Sequence, residues 1–174
     1  MGLGRLFAVL VLAAVLGTIP GMGHAAKDSA AATSGLPVPR YVSLKSDHVN
    51  VRAGPTKDND VAWVYTRAGL PVEITAEFEN WRRVRDSEGA EGWVYHSMLS
   101  GRRTAVVTMK SKDALAPIHD RADSESAVAA KLQAGVVAQV KKCSNGWCRV
   151  IGNGFDGWIE QQRLWGVYAD EKVD

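Results

Sequence analysis

Two cysteines occur in this 174-residue chain, Cys143 and Cys148, bracketing Ser144-Asn145-Gly146-Trp147. Thiols at this spacing could ligate a metal, act as nucleophiles or bond to each other. A metal site needs about four ligands, yet no second Cys or His pair lies nearby and His119 stands alone. Asn-Gly is the strongest short signal for a tight hairpin turn, so the two cysteines fall on adjacent strands, close to facing one another. In an oxidising compartment their default fate is a disulfide. His48, His96 and His119 then have no cysteine nucleophile to serve. Asp86, Glu88 and Glu91 sit together on a turn, where solvated charge is the ordinary explanation. Gly152-x-Gly154 lacks the following helix that a phosphate-cradling glycine motif requires. A carboxylate pair of the glycosidase kind stays open in principle, but short β modules offer no deep cleft for one. The expectation is therefore a disulfide between Cys143 and Cys148, and no catalytic residue, cofactor or metal.

The start of the chain points to an oxidising destination. Arg5 supplies a positive charge, Leu6 to Ile19 form an apolar run interrupted only by Gly17 and Thr18, and Pro20-Gly21 breaks it before Gly23-His24-Ala25. A run of about 14 apolar residues falls short of the roughly 20 that span a bilayer, and small residues follow where a signal peptidase reads. Residues 1–25 are expected to be a cleaved signal peptide, with a periplasmic or secreted product and no stable membrane span. Residues 26–40, small, polar and proline-bearing, read as a flexible lead-in with extended character at Pro37 and Pro39. The formal net charge is +2, or +1 without Arg5, which gives no electrostatic case for nucleic acid. Arg82-Arg83-Arg85 and Arg102-Arg103 read as solvated strand and linker positions.

The elements that must position these residues come as a repeat. Gly69, Trp81 and Val84 recur 66 positions later as Gly135, Trp147 and Val150. Gly92-Trp93, Leu99 and Gly101 recur 65 positions later as Gly157-Trp158, Leu164 and Gly166. Such self-similarity decides the architecture before any chemistry does. Leu70, Val72 and Ile74 alternate with polar or turn-compatible residues, as do Val136, Ala138 and Val140, and as Val49 and Val51 do ahead of Ala53-Gly54-Pro55. Val106 to Met109 takes the role of Val49 to Arg52 in the second copy. Lys57–Arg67 and its counterpart Ala122–Leu132 read as a long loop leading into a strand. About five short strands per 60-residue unit imply an all-β fold of two small closed barrels. The expected boundaries are 41–104 and 105–168, with a tail over 169–174.

Val49-Asn50-Val51-Arg52-Ala53-Gly54-Pro55, a later Trp-x-x-Val, then Gly-Trp-Val and a closing Leu resemble the bacterial SH3-like domain family. The second copy is degenerate at its start, where Asp113-Ala114-Leu115-Ala116-Pro117 replaces the signature. The resemblance implies SH3-like barrels, an envelope or secreted location, and a ligand-binding or targeting role. In eukaryotic SH3 domains the similar strand-start tryptophan lines the peptide groove. Carried across, the first module offers Trp81, Tyr95 and Met98 and the second Trp147, Glu160 and Arg163, with module one the main binder. Trp81 and Trp147 differ in parity from Val84 and Val150, which turns their indoles outward, as ligand platforms or as cover for a barrel edge or module interface. Trp93 and Trp158 read as structural, within strands that pack on the barrel. Two functions compete. One is recognition of cell-wall peptide or glycan through an aromatic patch; the other is an adaptor for an envelope protein.

The mature chain is expected to begin near Ala26. N-terminal sequencing or the intact mass of periplasmic protein checks this, and residues 1–25 retained in a membrane fraction would mark an anchor instead.

Overall fold

The structure is a computed structural model and describes residues 34–109, 111 and 114–174. The expected signal peptide, the first part of the lead-in and Asp113 lie outside the described residues. Each repeat forms one antiparallel sheet of seven strands. The first contains β1 (Arg40–Leu44), β2 (Val49–Arg52), β3 (Val61–Tyr65), β4 (Pro71–Phe78), β5 (Trp81–Arg85), β6 (Glu91–Tyr95) and β7 (Leu99–Ser100). The second contains β8 (Thr104–Val107), β9 (Leu115–His119), β10 (Val128–Gln133), β11 (Val137–Ser144), β12 (Trp147–Gly152), β13 (Phe155–Glu160) and β14 (Leu164–Trp165). Strand order is the same in both: β3-β2-β6-β5-β4-β1-β7 and β10-β9-β13-β12-β11-β8-β14. The expected five become seven because β1 and β8, and the two-residue β7 and β14, also join the ladders. Among the described residues no helix is long and apolar enough to cross a membrane.

Two readings of the repeat need correction. Val106-Val107 does not match Val49–Val51. It lies in β8, which pairs with β11 as β1 pairs with β4. The place of β2 is taken by β9, where Ala116 and Ile118 fill the inner face as Val49 and Val51 do. The stretches read as loops contain the edge strands β3 and β10, each paired along its length with the strand before it.

Each sheet encloses its own core. In the first, Leu44, Val49, Val51, Val72, Ile74, Val84 and Val94 are buried together. In the second, Ala138, Val140, Val150 and Ile159 join Ile118, Leu132 and both cysteines. Gly92 and Gly157 keep the sheets tight. A Cβ on Gly157 would come within 2.6 Å of Ile118 Cγ2 and 2.7 Å of the His119 carbonyl, and one on Gly92 would collide with Val51.

The long strands β4 and β11 carry a bulge at the same place, after Ile74 and after Val140. An extra residue reverses the inside–outside alternation beyond it. Glu77 and Cys143 are thereby turned inward, opposite Arg82 and Cys148 on the next strand. The repeat thus places an ion pair in the first barrel where the second has a disulfide. Arg82, read from sequence as solvated, has the inward parity of Val84 and is buried against Glu77. The Asn145-Gly146 turn joining β11 to β12 has both residues at positive φ, 52° and 78°, the two-residue hairpin geometry expected of Asn-Gly.

A flanking segment completes each clasp. Glu77 accepts hydrogen bonds from the Ser34 amide and hydroxyl, both at 2.8 Å, and pairs with Arg40 as well as Arg82. The end of the lead-in is therefore docked, with Arg40 already in β1. In the second barrel Cys143 exchanges backbone hydrogen bonds with Val173. The barrels also pack on each other. Tyr41 lies edge-on to Trp165 at 5.1 Å and against Tyr168 at 4.7 Å. The Tyr168 hydroxyl donates to Glu73 (2.9 Å), which also accepts from Arg85. Burial and the Glu73 carboxylate push the Tyr168 phenol above its ordinary value.

Burial alone would raise the pKa of Glu77, but the Ser34 hydrogen bonds and the Arg40 guanidinium hold it at about 2 against an ordinary 4.5. A depressed carboxyl pKa contributes stability that is full above pH 4.5 and lost as pH falls toward 2, here about 3 kcal/mol. Denaturant unfolding between pH 7 and 2 is expected to show this loss in the first barrel, and Glu77→Gln is expected to remove most of the acid dependence. Reduction, or Cys148→Ser, is expected to weaken the second barrel by about 1–3 kcal/mol, since the closed loop is small.

Candidate functional site

The site is built where a hairpin turn delivers a tryptophan to the start of a strand, beside the end of the next one. Ladder register sets Trp81 opposite Tyr95 in the first barrel and Trp147 opposite Glu160 in the second. Both tryptophans have outward parity, and Trp81 lies outside the core cluster as the alternation predicts. Its surroundings differ from expectation. The Tyr95 ring stands edge-on to the indole at 5.4 Å, with His96 continuing the cluster at 5.0 Å, and Trp81 is only 7% exposed. Met98, in a single 3₁₀ turn over His96–Met98, packs against the core instead of joining the outer pair. Of the three residues named from sequence, Trp81 and Tyr95 are in contact and Met98 is turned away, so no open aromatic platform forms.

Trp93 and Trp158 reverse in the other sense. Gly92 and Val94, and likewise Gly157 and Ile159, take the inner positions. The intervening indoles therefore point to the outer face and are half-buried. There Trp93 stands across from Arg83 and Arg52, and Trp158 across from Arg149 and His119.

In the second barrel the outer site is open. With Glu160 in place of Tyr95, Trp147 is partly exposed at the rim of a concavity of about 670 Å³, whose lining includes Asn145, Gly146, Glu160, Gln161 and Asp170. The other side of the Trp147 ring is held edge-on at 5.5 Å by His119. That histidine, isolated in the sequence, is buried with Nδ1 3.1 Å from the Ser126 carbonyl. Arg163 ion-pairs with Glu160 and lines a second concavity of about 650 Å³ with Thr108, Met109 and Gln162.

Gln161 and Asp170 were not singled out from sequence. Gln161 is 5% exposed, and its Nε2 donates to the Tyr168 carbonyl at 2.7 Å and the Glu171 carbonyl at 3.0 Å. Its Oε1 is buried without a hydrogen-bond partner. Asp170 belongs to the segment after the repeat, which periodicity does not reach. The one available signal was the exchange of Tyr95 for Glu160 at matching positions, which removes the ring that closes the first site. Among the described residues no group of three or more metal-ligating side chains converges.

Two tandem barrels with one strand order, each with a tryptophan beside its hairpin, define a protein of paired SH3-like modules. The sequence matches the bacterial SH3 domain family over residues 45–101 and 112–166, and the chain belongs to that family. No curated protein sequence matches it. Among solved structures it is distantly similar to NlpC2 of Trichomonas vaginalis, at 16% identity over 80% of this chain and 51% of that one, with a TM-score of 0.32. NlpC1 of the same organism is similar at 16% identity over 76% and 48%, with a TM-score of 0.31. This chain spans about half the length of either.

The packing reverses the expected roles of two tryptophans. Trp81→Ala is expected to cost on the order of 3 kcal/mol or more in stability, as truncating a buried aromatic does. Trp93→Ala, removing a half-buried outer ring, is expected to cost about 1–2 kcal/mol. Urea unfolding of the two variants checks the order.

Proposed function

We propose that this protein is an exported, non-enzymatic binding module of the cell envelope that recognises cell-wall peptide or glycan, with the second barrel as the binder. The observation that carries this reading is the concavity beside Trp147, the strand-start tryptophan that the groove resemblance carries over to the second barrel. A partly exposed indole supplies an apolar wall, and the polar groups around it can fix a ligand's orientation. The signal-like start of the sequence and the Cys143–Cys148 disulfide support an extracytoplasmic setting, where such bonds persist.

The edge strands favour a second reading, an adaptor for an envelope protein. β3 and β10 end their sheets, and each begins with an exposed valine, Val61 or Val128. Edges of this kind accept an added strand.

Co-sedimentation of the mature protein with purified sacculi separates the two. The wall reading expects pelleting that Trp147→Ala weakens by about tenfold or more, as at interface hot spots. Protein that stays in the supernatant yet captures a specific envelope partner would give the adaptor reading precedence.

A further inference from the structure

The chemistry of the Trp147 concavity is one-sided. Glu160 and Asp170 contribute carboxylates to its lining, the first paired with Arg163 behind it, and no lysine or arginine is among the lining residues. The Asp170 side chain has no partner among the described residues, so its charge is available. Gln161 adds an acceptor of known identity. Its amide nitrogen donates to two main-chain carbonyls, which only the NH₂ end can do. The buried Oε1 is therefore the end left without a donor, and an unpaired buried acceptor is costly unless something supplies the missing bond. Trp147 lines the same concavity, and an indole is the aromatic that best attracts a cation.

From this arrangement we infer that the second barrel holds a subsite for a primary ammonium group, carried by a peptide at its free N terminus or on a lysine-like side chain. An ammonium presents three donors and no acceptor, matching the acceptors of Asp170, Glu160 and Gln161. Its charge is met by the Asp170 carboxylate, since Glu160 is already paired with Arg163. A bare divalent cation fits less well, since such ions take six or more oxygen ligands and only two carboxylates line the site. The first barrel has lost the feature, because Tyr95 stands where Glu160 does and its ring covers Trp81. The inference rests on the reading that the second barrel binds a ligand, and it names the group that would be recognised.

The test is an NMR titration of the ¹⁵N-labelled mature protein with three peptides. These are Ala-Lys-Ala blocked at both ends, the same peptide acetylated on Nε, and trialanine amide with a free N terminus. Saturable shifts of the Trp147 indole N–H and the Gln161 side-chain amide are expected with at least one amine-bearing peptide. Which of the two binds more tightly identifies the source of the ammonium. Acetylating the amine of whichever peptide binds should weaken binding by about tenfold or more, the usual scale for losing a charge-assisted hydrogen bond. Asp170→Asn should do the same, and Glu160→Tyr, which recreates the closed arrangement of the first barrel, should abolish binding. Spectra of both variants that otherwise overlay the parent show that the fold is kept. Equal affinity for the acetylated peptide, indifference to Asp170→Asn, or shifts confined to the first barrel overturns the inference. If sacculi pellet the protein while neither amine peptide moves Trp147, the subsite is overturned and the wall reading stands. If the peptides bind as expected but sacculi do not pellet the protein, the subsite stands and the wall reading falls.

Discussion

The bulge in β4 and its copy in β11 decide what closes each barrel. A strict two-residue alternation would leave Ala76 and Lys142 inward and send Glu77 and Cys143 to solvent. With one extra residue, positions 77 and 143 face positions 82 and 148 at the core's end, and whatever occupies them must suit a buried site. Two solutions are present in one chain. The first barrel uses a carboxylate held by two guanidiniums and a serine; the second uses a covalent bond. The ionic version demands more partners, because a buried carboxylate needs its lone pairs satisfied. That demand explains why Ser34 and Arg40 are drawn in from outside the repeat.

A single exchange across the β5–β6 and β12–β13 ladders sets the two outer faces apart. Tyr95 can lie edge-on to Trp81, and the pair closes over itself. Glu160 cannot cover Trp147 in that way and turns to Arg163. Duplication thus supplied two equivalent surfaces, of which one became packing and the other stayed open. The open surface is in the copy whose opening signature is degenerate, a reminder that a family's sequence signature reports on the fold's construction and not on where a ligand can reach.

Much of the fold was legible because it rests on local rules. Asn145-Gly146 announced its turn, and the 66-residue offset announced two like sheets. The site was less legible, and the reasons are physical. Parity put Trp81 on the outer face correctly, but outward is not the same as exposed, since a neighbouring side chain can cover it. The same parity rule, counted from Gly92 and Val94, places Trp93 outside, and reading it as a core residue gave its size more weight than its position. Arg82 shares the inward parity of Val84, and reading it as solvated gave its charge more weight than its position, while the bulge that brings Glu77 round to meet it has no mark in the residue types. Gln161 and Asp170 matter through their contacts and position with the segment after the repeat, and neither carries a periodic signal.

The flanking segments bear on what counts as one unit of this protein. The family match stops at residue 166, yet Asp170 lines the concavity and Val173 bonds to Cys143. At the other side it starts at residue 45, yet Ser34 and Arg40 hold Glu77. The first barrel draws its missing piece from chain made before it, the second from chain made after it. As the polypeptide emerges, the first barrel can therefore be finished while the second is still incomplete, and the concavity takes shape only once the stretch beyond its own repeat is free to fold back. The concavity is thus the last part of this chain to be completed.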